Sequence, residues 1–207
     1  YNKKNMFFKV PDLPKWLYEL PVTIIQESTY GNMDTTDIEE CFEENILRGT
    51  REQKTIVVPA FSLGRYQEVL YFLKTLQKRG ALDPNIPIYG DGKLAATYTN
   101  MFLNNPNLGI DSEMTDFLLE NVEFISGSEA RSNVIADIHS KIIVTTSGMG
   151  SYGPAQEYIS KLISNPNALI HFTGYTAEGT LGRRLKDTEI GQDVKVGSIM
   201  KIKRAEV

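Results

Sequence analysis

Short apolar, β-branched runs alternate with longer stretches of helical spacing along this chain. Val22–Gln26, Thr55–Pro59, Ile86–Tyr89, Val122–Ile125, Lys141–Thr146 and Ala168–Phe172 read as strands. Their near-continuous hydrophobicity suits strands buried on both faces. Between them, apolar residues recur at three- and four-residue intervals. This predicts helices from Asp34 or Thr35 to about Gly49, and over Leu63–Lys78, Lys93–Leu103, Ser112–Glu120, Glu129–Ile138, Gly153–Ser164 and Gly179–Lys186. Alternation of this kind predicts an α/β fold: a three-layer, mostly parallel sheet with helices on both faces. The chain shows no solenoid repeat and no low-complexity linker.

Local signals sharpen the pattern. Ser62 stands where it would cap Leu63–Lys78, and Ser128 where it would cap the helix after it. Pro154 falls in the first turn of its helix, a position Pro favours. Cys41 shares the inner face of the first helix with Ile38, Phe42, Asn45 and Ile46, so it reads as a small core residue. The lead-in Asn2–Leu20 holds Pro11 and Pro14, with a short helix starting near Trp16; its aromatic residues read as core. Val194–Val207 reads as a strand or hairpin broken at Gly197-Ser198.

Charge adds little that is specific. The 207 residues carry a net charge of −4. Asp34, Asp37, Glu39, Glu40, Glu43 and Glu44 crowd one helix. Between Arg183 and Arg204, seven bases stand against three acids, a local excess compatible with a phosphate-bearing partner or with a solvated surface. A single cysteine excludes a disulfide framework and points to a reducing, cytoplasmic setting. No apolar run approaches the roughly 18 residues of a membrane span. The chain opens on Tyr1 and closes in mid-strand, so it reads as one domain, residues 1–207, cut from a longer protein or processed at both ends.

In a parallel sheet of this kind, ligands sit beyond the carboxyl ends of the strands. Glu27-Ser28, Phe61-Ser62, Asp91, Ser126–Ser128, Ser147-Gly148 and Thr173-Gly174 all fall there. The run KIIVTTSGMGSY (Lys141–Tyr152) is the focus, since its hydroxyls and glycines allow backbone N–H groups and Ser147 Oγ to approach an anion. Arg65 stands in the first turn of its helix, where a cation opposes the helix dipole; it is either an ordinary surface residue or one that faces a ligand. Glu27 ends a buried strand, where a bare carboxylate is costly, so it needs a partner. That partner is a cation, a helix N-terminus or backbone N–H groups.

Familiar fingerprints are absent. No GxGxxG follows the first strand, and no GxxxxGK[ST] or GxSxG occurs. Gly127, Gly148, Gly150, Gly153 and Gly174 are each explicable as turn or cap glycines. With only His139 and His171, and no HxH, HExxH or Cys pair, the chain offers no metal-binding motif of its own.

Six segments taken in order resemble one family. They are IIQESTYGN (Ile24–Asn32), VVPAFSLGRYQEVL (Val57–Leu70), PIYGDGKLA (Pro87–Ala95), KIIVTTSGM (Lys141–Met149), GPAQEYISKL (Gly153–Leu162) and HFTGYTAEGTLGRRL (His171–Leu185). Together they resemble the β-CASP domain of metallo-β-lactamase-fold RNA-processing nucleases. The resemblance implies a Rossmann-like domain inserted into a metallo-β-lactamase domain that holds two zinc ions and the histidine motifs outside this chain. It implies no cofactor within the chain itself. Glu27 matches the family's acidic motif and would orient a histidine of the other domain.

The function so implied is that of a capping and substrate-binding half of a zinc-dependent ribonuclease, inactive alone. Ser62, Arg65, Ser147, Gly148, Met149 and Gly174 would line a path for single-stranded RNA. The implied partners are RNA, the chain's own metallo-β-lactamase domain and a second copy in a homodimer; no membrane is implied. A rival reading is a catalytically silent module for protein–protein contact or dimerisation. A third, an unrelated nucleotide-binding α/β domain, lacks its phosphate fingerprint.

Overall fold

The computed structural model describes residues 12–25, 28, 29, 31, 38–105 and 112–207. Five strands form one all-parallel sheet: β1 (Thr55–Pro59), β2 (Ile88–Asp91), β3 (Val122–Ile125), β4 (Lys141–Thr145) and β5 (Ala168–Ile170). Their order is β3-β2-β4-β1-β5. The central strand β4 and its neighbour β1 are buried at every position, as their unbroken apolar runs predict. Register aligns Thr55 with Lys141 and Pro59 with Thr145, so the two strands end level with each other.

Among the described residues, seven α-helices connect or flank the strands: α1 (Ile38–Arg51), α2 (Arg65–Lys78), α3 (Lys93–Leu103), α4 (Ser112–Glu120), α5 (Ser128–Ala136), α6 (Gly153–Leu162) and α7 (Leu181–Asp187). Strand alternation splits the core in two. Ile56, Val58, Ile142 and Val144 pack with α1, α2 and α4 on one face. Val57, Ile143 and Ile170 pack with α5, α6 and α7 on the other. The expected three-layer α/β architecture is therefore the observed one. The last segment forms an antiparallel hairpin, β6 (Asp193–Val196) with β7 (Ile199–Ile202).

Several local expectations are corrected. Val22–Ile25 forms no strand among the described residues, and Ile24 and Ile25 are 76% and 97% exposed. A β-branched run needs neighbouring strands to pack against, and this sheet offers it none. Trp16 does lie in a single 3₁₀ turn, Lys15–Tyr18, but it is exposed rather than core. Cys41 is exposed as well; Phe42 and Ile46 take the inner face of α1 instead. Asp34 and Thr35 lie outside the described residues.

Ser62 does not cap α2. The cap position is Gly64, at φ +83°, and its N–H donates to Gln67 Oε1 at 2.8 Å. Ser128 is likewise the first residue of α5, with Gly127 at the cap. At the far end of α5, a lysine meets the helix dipole. Fully buried Lys141 donates from Nζ to the carbonyls of Val134, at 3.2 Å, and Asp137. Buried Lys203 does the same for the end of α7, reaching Leu185 O at 2.8 Å and Thr188 O at 2.6 Å.

Candidate functional site

The strand ends of β1, β4 and β5 are tied into one rim. The Ala60 N–H donates to Thr145 O at 2.8 Å, and Thr173 Oγ1 donates to Pro59 O at 3.1 Å. From the adjacent ends of β1 and β4 the chain leaves toward opposite faces, to α2 and to α6. Such a divergence opens a crevice between the two loops.

The β4 loop, residues 146–153, is closed on itself. Ser147 donates both its N–H (3.2 Å) and its hydroxyl (3.3 Å) to the Tyr152 carbonyl. Gly150 N–H returns to Ser147 O at 2.9 Å, and Ala155 N–H to Thr146 O at 2.7 Å. A second set of bonds fixes the loop to α7: Gly182 N–H donates to Met149 O, and Leu181 N–H to Ser151 Oγ, both at 2.9 Å.

Gly148, Gly150 and Gly153 stand at G-x-G-x-x-G spacing between a strand and a helix. A search confined to the first strand passes over this spacing. Protein contacts account for it here. A Cβ on Gly148 would lie 2.9 Å from the Phe61 backbone N, one on Gly150 2.6 Å from Ile159 Cδ1, and one on Gly153 3.2 Å from Thr146 O. The end of the next strand carries His171, not the acid that a dinucleotide site uses for the ribose.

The predicted site residues divide accordingly. Ser62, Arg65, Ser147, Gly148, Met149 and Gly174 all fall on the rim formed by the β1, β4 and β5 ends. The expected cradle of open amides is corrected at Ser147, whose N–H and hydroxyl are spent on Tyr152, and at Gly148, which is buried under the Phe61 ring. Ser62 contributes its carbonyl to Gln67 Nε2 at 3.2 Å. Arg65 is exposed and pairs with Glu68 at 3.1 Å. Gly174 is half-buried beside Thr173. Glu27 lies outside the described residues.

What faces solvent along the rim is Phe61 (46% exposed), Leu63 (55%), Arg65, Tyr152 (77%) and Tyr175 (43%). Of these, only Arg65 is among the site residues expected from the sequence; Phe61 is read there as a strand-end position and Tyr152 as the end of the focal run, while Leu63 and Tyr175 carry no expectation as site residues. Their only signal is that each stands in a strand-end loop, where large apolar side chains have no helix or strand face to fill.

A second cluster lies beside the crevice, at the end of β2. Arg131 Nε donates to Asp91 Oδ2 at 2.7 Å and Nη2 to Oδ1 at 3.3 Å; Nη1 reaches Glu157 Oε2 at 2.7 Å. Tyr158 adds its hydroxyl to Asp91 Oδ2 at 3.0 Å. The hydrogen bonds that Arg131 donates to Asp91 hold the guanidinium pKa above its ordinary value. Burial, with the nearby Asp91 charge, raises the Tyr158 hydroxyl. The group is structural: it joins β2, α5 and α6 through one buried carboxylate.

Neither histidine is placed for metal binding. His139 is exposed, with Nδ1 at 2.6 Å from Asp137 Oδ1. His171 contacts Asn45 Nδ2 at 3.4 Å and stands edge-on to Phe42, ring centroids 5.0 Å apart. Burial, and secondarily the Lys186 charge, depress its pKa to about 4. No group of three His, Cys, Asp or Glu side chains among the described residues is placed to hold a metal ion. The basic segment near the C-terminus is largely occupied with its own fold: Lys203 is buried, Arg183 pairs with Asp187 at 2.8 Å, and Arg184 donates to Lys195 O at 2.8 Å.

Fold and crevice together define a doubly wound, all-parallel α/β domain with a crevice at the strand ends. The chain belongs to the β-CASP family, since residues 66–185 match the model of the Beta-Casp domain. It is similar to a transcription termination factor FttA of Methanosarcina mazei, 34% identical over 197 residues, covering 87% of this chain and 30% of that protein. It is also similar to two proteins of Methanocaldococcus jannaschii. One is a "probable RNase MJ4", 34% identical over 180 residues. The other is an "RNase J-like protein", 33% identical over 177 residues. Each of these matches covers 82% of this chain and 40% of the relative. The chain thus spans less than half the length of these relatives. Among the described residues no helix is long and apolar enough to cross a membrane.

Proposed function

We propose that this chain is the substrate-positioning half of a zinc-dependent ribonuclease, and that single-stranded RNA crosses its strand ends between β1 and β4. The observation that carries this reading is the crevice itself. There, exposed Phe61 and Tyr152 stand on loops tied by the Ala60–Thr145 and Ser147–Tyr152 hydrogen bonds, and exposed Arg65 opens α2 beside them. An arginine beside aromatic faces suits a single strand: the guanidinium meets phosphate and the rings meet bases. The relatives named as RNases support the same substrate class.

Among the described residues no His, Cys, Asp or Glu cluster fits a zinc site. In this reading the metal and the hydrolytic step are supplied by polypeptide outside the chain, and this half contributes binding and orientation. Glu27 would orient a histidine supplied by that other part. The exposed apolar residues Leu20, Val22, Ile24 and Ile25 form a surface for the metallo-β-lactamase domain to cover.

The test is cleavage of a labelled single-stranded RNA by the longer parent protein with zinc present. Arg65→Ala should raise KM several-fold with a smaller change in kcat, because it removes a positioning contact. Unchanged KM and kcat would refute the path. The same apolar segment also favours a second reading, a silent module that docks another protein. A parent that neither cleaves nor binds RNA, while still associating through this segment, would establish that reading instead.

A further inference from the structure

Tyr152 is the most exposed aromatic side chain of the crevice, at 77%, yet its backbone is among the most firmly held. Its carbonyl accepts two hydrogen bonds from Ser147, at 3.2 and 3.3 Å. It is extended, at φ −144° and ψ 167°, and the next residues, Gly153 and Pro154, open α6. The Ala155 N–H locks that first turn to Thr146 O. Among the described residues the ring joins neither apolar core and stands 77% exposed. The fold thus fixes the base of an aromatic side chain and leaves its face uncovered. In the same loop, Gly148 lies against Phe61, whose ring a Cβ at that position would meet at 3.0 Å.

A rigidly based ring with two rotatable bonds loses little entropy on contact. Nucleobases are flat, apolar on their faces and available for stacking when the strand is single. We propose that Tyr152 is a stacking platform for one nucleobase of the bound strand, with Arg65 taking a backbone phosphate nearby. This deepens the RNA reading above and rests on it. Stacking of this kind is tolerant of base identity, because every base has a π-face. Tyr152 would thus be a strand-positioning residue rather than a sequence reader.

The experiment is fluorescence anisotropy of the full 207-residue chain with a labelled single-stranded RNA of about 12 nucleotides, within the site sizes of single-strand binders. A matched oligonucleotide carries abasic sites. Tyr152→Ala should weaken binding about 5- to 100-fold, the range for loss of one stacked base. Tyr152→Phe should stay within about twofold, since the ring and not the hydroxyl is used. The Tyr152→Ala effect should shrink on the abasic strand. The salt dependence should be unchanged, because no phosphate contact is lost; Arg65→Ala should instead reduce the salt slope.

If Tyr152→Ala binds as tightly as the wild type while Arg65→Ala binds more weakly, the platform is wrong and the RNA path stands. If the wild-type chain binds no single-stranded RNA, the RNA reading falls and the platform with it. If Tyr152→Ala lowers the melting temperature of the free chain, the ring is structural and the proposal is overturned.

Discussion

Arg131 grips the buried carboxylate of Asp91 with two N–H groups, at 2.7 and 3.3 Å, and spends a third on Glu157 at 2.7 Å. The Asp91 side chain is 3% exposed, so its charge depends on this pairing. Removing one partner of a buried pair costs about 3–5 kcal/mol. Arg131→Met should therefore lower stability by roughly that amount, read by urea unfolding. Adding Asp91→Asn should recover part of the loss, because no buried charge then remains. A small loss in the single variant would show that Asp91 does not depend on Arg131.

Gly90 and Tyr66 make a second pair. A Cβ on Gly90 would lie 2.5 Å from the Tyr66 hydroxyl, which is buried with no hydrogen-bond partner among the described residues. Gly90→Ala should cost about 1–3 kcal/mol by overpacking. Tyr66→Phe should cost nothing or stabilise slightly, since it removes an unsatisfied buried hydroxyl. Combined, the two changes should be less damaging than Gly90→Ala alone. Simple additivity in a thermal-melt cycle would contradict this packing.

His171 gives the fold a pH dependence. Its folded pKa is depressed to about 4 from an ordinary value of 6.5, chiefly by burial. The unfolded chain thus takes up the proton first on acidification. The contribution of neutral His171 is fully present above about pH 6.5 and is lost as pH falls toward 4. Asn45, Lys186 and Glu206 line the same small cavity. His171→Gln should flatten the stability profile between those two pH values. Titration of His171 near 6.5 by proton NMR would contradict the account.

The strand-end arrangement was legible because its signals are local. The β-branched runs Thr55–Pro59, Val122–Ile125 and Lys141–Thr145 became strands at or within one residue of the expected ends. The loops following β1 and β4 fell where a parallel sheet puts its ligand surface. Other features depend on tertiary contact that no spacing records. Lys141 heads an apolar strand, but nothing nearby in sequence says that its ammonium will close the end of α5. Arg131 finds Asp91 forty residues away. Ser62 looked like a cap because its residue type suits one, while Gln67 performs that role from inside the helix. Val22–Ile25 carries a strand pattern without a strand, because pattern describes what a segment can pair with and not whether a partner is there.

That segment yields a further prediction. Ile24 and Ile25 are so exposed that replacing both with Ser should change the stability of the chain by no more than about 0.5 kcal/mol per site. The same double change should reduce association between this chain and the remainder of the parent protein, measured by co-purification of separately expressed parts. A large drop in melting temperature would mean that these side chains pack within the domain.

The central claim is that single-stranded RNA lies over the strand ends between β1 and β4. Amide chemical-shift mapping of the isotopically labelled chain during titration with a short single-stranded RNA tests it most directly. The account predicts shifts clustered on Phe61–Arg65, Ser147–Tyr152 and Thr173–Tyr175. Shifts confined to the β6–β7 hairpin or to residues 12–25, or none at saturating RNA, would contradict it.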